Sequence, residues 1–191
     1  MRQKPEIVSA ETIARTRIFR VEQVELRFSN GVQVCYERLR SNPRGAVLIV
    51  PMLDAETVLL VREYAAGVHR YELGLPKGRI EEGEAPEQAA DREMQEEIGY
   101  GARSLRTIAS LTVAPGYLSH VTHIVLARDL YEQRLPGDEP EEMEVVPCSL
   151  REIDRLLERE DFTEARSIAA LYMTRELLAR EAAETDRKRK E

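Results

Sequence analysis

Residues 78–100, GRIEEGEAPEQAADREMQEEIGY, set three carboxylates beside one arginine on a segment whose ends are marked as those of a helix. Pro86 suits the first helical position and Gly99 the position just past the last turn, so the spacing predicts a helix from about Pro86 to Ile98. Ala90, Met94 and Ile98 recur every fourth residue and form an apolar row that faces a core. Glu93 and Glu97 form a neighbouring row, with Glu96 between the turns. Like charges three or four apart destabilise a helix by roughly 0.2–0.5 kcal/mol per pair. A chain tolerates this when a cation sits among the carboxylates, and a divalent metal is the obvious candidate. The fold must therefore pack one side of this helix and present carboxylates on another.

The flanking sequence supplies strands. Val21, Val24, Leu26 and Phe28 lead into Asn30-Gly31, and Val32, Val34 and Tyr36 follow; Asn-Gly between alternating runs predicts a hairpin. SNPRG (41–45) is rich in turn formers and marks a boundary, which makes residues 1–45 a separate N-terminal β module. AVLIVPML (46–53) and TVLLVREYA (57–65) read as buried strands, and YELGLPKGRIEEGE (71–84) as a loop. Strands return at 104–113 and 121–128, LPGDEPEEM (135–143) is a polar loop, and Val145-Val146 opens another short strand. Residues 149–160 and 164–183 read as two helices, so the main domain spans 46–185, with a charged tail at 186–191.

Composition narrows the class. At 191 residues, 42% hydrophobic and 33% charged, the chain suits one main domain with a small extra module. A net charge of −7 argues against a general nucleic-acid binder, and the basic RKRKE end reads as solvated. Acidity does not exclude phosphate substrates, because a bound metal inverts the local charge. No apolar run approaches the length of a membrane span, and the start MRQKPEIVSAE lacks a signal-peptide core. Two distant thiols, Cys35 and Cys148, fit a reducing compartment, so a cytoplasmic setting is expected.

An acidic helical face alone reads as solvated surface. The joint spacing says more: Gly78, then Glu84 after five residues, then Arg92-Glu93 after seven, then Met94, Glu96-Glu97, Gly99 and Tyr100. This series resembles the Nudix hydrolase box, G-x5-E-x7-R-E-U-x-E-E-x-G-U with U bulky and apolar, and every fixed position is met. VREY (61–64), YELGLPKG (71–78), APGY (114–117), GDEPE (137–141) and DFTEARSIAAL (161–171) extend the resemblance to the branch near the ADP-ribose pyrophosphatases.

The resemblance implies an α/β/α sandwich with a mixed sheet, preceded by a small antiparallel module that mediates a homodimer. It implies Glu93, Glu96 and Glu97 as ligands of magnesium, with manganese as an alternative ion, and the backbone carbonyl of Lys77 as a further ligand. Glu84 and Arg92 resemble a pair that braces the loop, while Gly78, Gly83 and Gly99 shape the turns. Glu141, with Glu139 beside it, resembles the acidic-loop base that activates water; the alternative is a solvated loop. Arg62 and Glu72 resemble substrate-binding residues, with a surface ion pair from Arg62 to Glu63 or Glu72 as the other reading. Lys77 either stabilises phosphate charge or is a solvated loop residue. Tyr64, Tyr71 and Tyr117 either stack on adenine or are buried at strand ends. His69, His120 and His123 lack metal spacing.

The implied activity is metal-dependent hydrolysis of the diphosphate in ADP-ribose, short diadenosine polyphosphates or NADH, releasing AMP where the substrate permits. The physical logic agrees, since a cation neutralises phosphate charge and binds the oxygens of attacking water and leaving group. The rivals are a nucleoside-triphosphate pyrophosphohydrolase and a non-catalytic Nudix ligand sensor. The N-terminal module and VREY oppose the first, and the complete box opposes the second.

Overall fold

Two strands too continuously apolar to be half exposed form the centre of the main unit. The computed structural model describes residues 2–137 and 140–189. Strand β4 (Ala46–Pro51) sends Val47 and Ile49 to one side and Leu48 and Val50 to the other, all fully buried. Strand β5 (Thr57–Ala65) repeats the alternation with Leu59 and Val61 against Val58 and Leu60. The period of two thus feeds two cores at once.

The first core contains Ala89, Ala90, Met94 and Ile98 of helix α1 (Pro86–Glu97) and its C-cap. The second contains Ile153 and Leu156 of the short helix α2 (Ile153–Leu156), Phe162, and Ala170 and Leu171 of helix α3 (Ala165–Lys188). Sheets between helices on both faces make this unit an α/β/α sandwich. Strand β4 pairs with β7 (Lys77–Arg79) and, in parallel, with β9 (Thr122–Glu132), which pairs with β8 (Tyr100–Leu111). The order β7-β4-β9-β8 is therefore a mixed sheet. Strand β5 lies between β10 (Glu144–Ser149) and β6 (Arg70–Gly74), antiparallel to both.

The chain divides into two compact units, Ala46–Leu111 with Thr122–Glu191, and Met1–Gly45 with Thr112–Val121. The smaller unit is an antiparallel sheet of β1 (Glu6–Arg15), β2 (Arg20–Arg27) and β3 (Gln33–Arg40). Asn30-Gly31 lies in the β2–β3 connection, with Gly31 at φ 83° and Phe28 N–H donating to Val32 O at 2.9 Å. Segment 112–121 docks on β3, where Leu39 N–H donates to Tyr117 O at 2.7 Å and Ser119 N–H to Leu39 O at 3.1 Å. Strand β1 is exposed along its whole length.

Three expectations change. The stretch read as a loop at 71–84 holds most of β6 and all of β7, because Leu73 is fully buried and Lys77–Arg79 pair with the β4 edge. The helix expected at 149–160 shrinks to a 3-10 turn (Leu150–Glu152) and α2. Leu150, Ile153 and Leu156 are buried at a spacing of three, the repeat of a 3-10 helix, and the chain then turns so that Phe162 reaches the core. Helix α3, capped by the Glu164 side chain, continues to Lys188, past the start of the stretch read as a charged tail. Among the described residues, no helix is long and apolar enough to cross a membrane.

Candidate active site

The acidic helix is built against its own electrostatics. Glu93, Glu96 and Glu97 sit in the C-terminal half of α1, where the helix dipole already disfavours negative charge, and the last turn has no basic residue. Burial adds to the penalty, since Glu93 and Glu97 are 9% and 4% exposed. The carboxylates are thus presented on a side away from the apolar row, with Glu93 and Glu97 buried and Glu96 half-buried. Burial pushes the Glu97 carboxyl up to about 8, against the pull of the Lys77 charge and of its backbone N–H, which donates to Glu97 Oε2 at 3.0 Å.

Arg92 supplies the nearest counter-charge. Its Nε and one terminal nitrogen donate to both oxygens of Glu84 at 2.9 and 3.1 Å, and the latter nitrogen also donates to Arg79 O at 3.0 Å. The other terminal nitrogen donates to Glu93 Oε1 at 2.9 Å and Glu96 Oε2 at 3.0 Å. One guanidinium thus ties the loop before α1 to two carboxylates upon it. This bidentate grip holds the Glu84 carboxyl below its ordinary value.

The glycines have separate tasks. Gly83 takes φ 86° and Gly99 φ 75°, so they make the turns into and out of α1. Gly78 is needed for space: a Cβ there would lie 1.8 Å from Glu93 Cδ and 2.0 Å from Oε1. Its missing side chain is the cradle in which the Glu93 carboxylate rests.

A divalent cation fits these residues. The donors are hard carboxylate oxygens, the kind that magnesium and manganese prefer, and the Gly78 cradle brings the backbone beside one of them. Among the described residues no three candidate ligands already form a closed cage, and Arg92 engages Glu93 and Glu96.

Three cavities share lining residues. The middle one, about 650 Å³, is lined by Glu93, Glu96, Glu97, Arg92, Glu63 and Lys77 among others. Glu63 and Lys77 also line a more apolar cavity of about 470 Å³, with Tyr64, Val68, Glu72 and Leu75. Glu96 and Glu97 also line a third, about 330 Å³, with Arg134 and Glu141. Apolar space, a carboxylate cluster and the loop glutamate thus neighbour one another through the residues they share.

Of the substrate-binding candidates, Lys77 and Glu72 line this cleft and Arg62 does not. Alternation along β5 explains the split, since Glu63 shares the face of Leu59 and Val61 while Arg62 shares that of Val58 and Leu60. Arg62 is ion-paired to Glu144 at 2.8 Å and to Asp161, rather than to Glu63 or Glu72. Glu72 accepts from Arg70 Nε at 2.5 Å and from Thr163 N–H and Oγ1 at 3.2 and 3.0 Å. The Lys77 ammonium pairs with Glu63. Glu141 accepts from the Tyr71 hydroxyl at 2.5 Å, and Glu139 lies outside the described residues. Tyr64, Tyr71 and Tyr117 are exposed rather than buried. His69 and His123 bond Tyr64 and Ser110. Sequence reading weighed Glu63 only as a partner for Arg62 and missed Arg134; two-residue periodicity from Val61 was the signal for Glu63.

A mixed-sheet sandwich with carboxylates clustered behind a glycine cradle is an arrangement shared with a known family of hydrolases. Residues 42–171 match the NUDIX domain, and residues 5–38 match the NudE-type Nudix hydrolase N-terminal domain. The chain belongs to the Nudix family. It is 49% identical over 176 residues to ADP compounds hydrolase NudE of Escherichia coli (strain K12), covering 92% of this chain and 94% of that one. It is 31% identical over 170 residues to ADP-ribose pyrophosphatase of Bacillus subtilis (strain 168), covering 84% and 90%. A crystal structure of ADP compounds hydrolase superposes with a TM-score of 0.88 at 48% identity, covering 95% of this chain and 97% of that one.

Proposed function

We propose that this chain is a Nudix pyrophosphatase that hydrolyses the diphosphate linkage of ADP-ribose-type nucleotides, with magnesium as its preferred divalent ion. The observation that carries this reading is the set of adjoining cavities, in which the α1 carboxylates lie between an apolar cavity and Glu141. Diphosphate needs charge neutralisation, the organic moiety needs apolar contact, and water needs a base. The relatives, an ADP compounds hydrolase and an ADP-ribose pyrophosphatase by name, support a preference for ADP-ribose-type substrates. The reading also takes in short diadenosine polyphosphates and NADH.

In this reading Glu93, Glu96, Glu97 and the Lys77 carbonyl would hold the ion. When bound, the ion supplies neutralisation of phosphate charge and orientation of water. Glu84 and Arg92 brace the loop that carries Gly78. Lys77 and Glu72 orient the substrate from the apolar side. Glu141 takes onto a carboxylate oxygen the proton that the attacking water gives up, as that water adds to one phosphorus and the anhydride P–O bond breaks. For ADP-ribose the products are AMP and ribose 5-phosphate. The reading also includes a homodimer formed through the N-terminal β module and a cytoplasmic setting, supported by two free thiols.

The test is AMP release from ADP-ribose with magnesium, with manganese and with chelator, beside a panel of deoxynucleoside triphosphates. Magnesium-dependent AMP release is expected, with triphosphates turned over far more slowly. Glu97→Gln keeps the shape of a buried side chain and should lower turnover by roughly a hundredfold or more, with little change in thermal midpoint. Full turnover by that variant at saturating magnesium removes the metal role, and faster triphosphate cleavage removes the substrate reading.

A further inference from the structure

Glu141 lies between β9 and β10, outside any strand or helix, so no regular element sets the direction of its carboxylate. A base must stay within hydrogen-bond reach of the water it deprotonates, and misplacement by an ångström costs up to roughly a hundredfold in rate. Glu141 lines a cavity shared with Glu96 and Glu97. Something rigid has to hold it there.

The β5–β6 hairpin supplies that anchor. Tyr64 and Tyr71 lie opposite one another in register, and their rings meet edge-on with centroids 5.7 Å apart. The Tyr64 hydroxyl bonds His69 Nδ1 at 2.5 Å, and that ring packs edge-on against Tyr64 at 5.9 Å. The Tyr71 ring is thus braced on a regular element while its hydroxyl reaches Glu141 Oε1 at 2.5 Å, the short distance typical of a hydroxyl donating to a carboxylate. Tyr71 is 48% exposed, so its hydroxyl has no need of a protein partner. The Glu141 carboxylate also holds the Tyr71 phenol above its ordinary value.

We propose that Tyr71 is a positioning residue, whose hydroxyl ties Glu141 to the β5–β6 hairpin and fixes its carboxylate toward the Glu96–Glu97 end of the cleft. The inference rests on the reading of Glu141 as the base. It assigns to Tyr71 a task in the chemical step rather than in adenine stacking, so removing the hydroxyl lowers kcat and leaves KM nearly unchanged.

The experiment is a double-mutant cycle with Tyr71→Phe, Glu141→Gln and the pair, assayed with ADP-ribose at saturating magnesium. Tyr71→Phe keeps the ring against Tyr64 and should lower kcat about tenfold with KM within about twofold. Glu141→Gln should lower kcat further, and adding Tyr71→Phe to it should change nothing more. Thermal midpoints of all four proteins should agree. Unchanged kcat in Tyr71→Phe beside a loss in Glu141→Gln overturns the role of Tyr71 and leaves the base in place. Full kcat in Glu141→Gln overturns both. An equal tenfold loss from Tyr71→Phe in both backgrounds, with or without a lower midpoint, assigns Tyr71 a structural part and overturns the proposal.

Discussion

A single methyl group at position 78 would collide with the Glu93 carboxylate, since a Cβ there would lie 1.8 Å from Cδ. Gly78 is not among the residues at positive φ, so the backbone itself admits alanine. Gly78→Ala should therefore keep the fold at a cost of about 1–3 kcal/mol while displacing one carboxylate of the proposed metal site. Calorimetric titration with magnesium should show weaker binding, and turnover should fall with it; wild-type affinity in this variant would show that Glu93 does not need the cradle. The box pattern made Gly78, Glu84, Arg92 and the three glutamates legible in the sequence. It did not reveal why each was there, because a close approach between residues 78 and 93 is a distance in space. The tyrosines show the same limit: their chemistry was plain, yet exposure of Tyr64 and Tyr71 and the bond to Glu141 depend on a loop 70 positions away.

Helix α1 and its preceding loop act as one element through Glu84 and Arg92. Arg92 holds the Glu84 carboxyl below its ordinary 4.5, so the unfolded chain takes up a proton there before the folded one does. The stability from this pair is complete above 4.5 and is lost as pH falls through the lower folded value. Thermal midpoints measured between about pH 3 and pH 6 should fall on acidification, and Glu84→Gln should flatten that part of the curve. An identical acid slope in wild type and variant would mean that other carboxylates set it. Element by element, α1 was legible because Pro86, Gly99 and the apolar row agree. Residues 149–160 misled, since their apolar spacing of three fits one helical turn as well as several, and only the need to bury Phe162 ends the helix. Strands β6 and β7 were hidden under Gly and Pro, which mark turns locally but sit here where a paired edge and a buried leucine hold them extended.

The molecule as a whole leaves one strand without a use. Strand β1 has no buried residue, and Ile7, Val8 and Ile13 are 55%, 40% and 44% exposed on the edge of a three-stranded sheet. Apolar edges of this length favour pairing with another chain. In the proposed homodimer this strand meets a second copy, so sedimentation should give twice the 21.8 kDa chain mass, and Ile13→Glu should shift the protein toward that single-chain mass. A wild-type protein sedimenting at 21.8 kDa would exclude the dimer. At this scale the order of elements apart from β6 and β7 was readable, but segment 112–121 was not recognisable as part of the N-terminal unit, since it is joined there by backbone hydrogen bonds to Leu39. By itself the sequence determined the acidic helix, the loop that its arginine braces and the class of chemistry, because these rest on spacing within one short segment. Only the tertiary structure decided that Glu63 and not Arg62 faces the cleft, that Glu97 is buried, and that Tyr71 reaches Glu141. Those outcomes depend on strand alternation and packing between segments far apart in the chain, where local spacing carries no distance information.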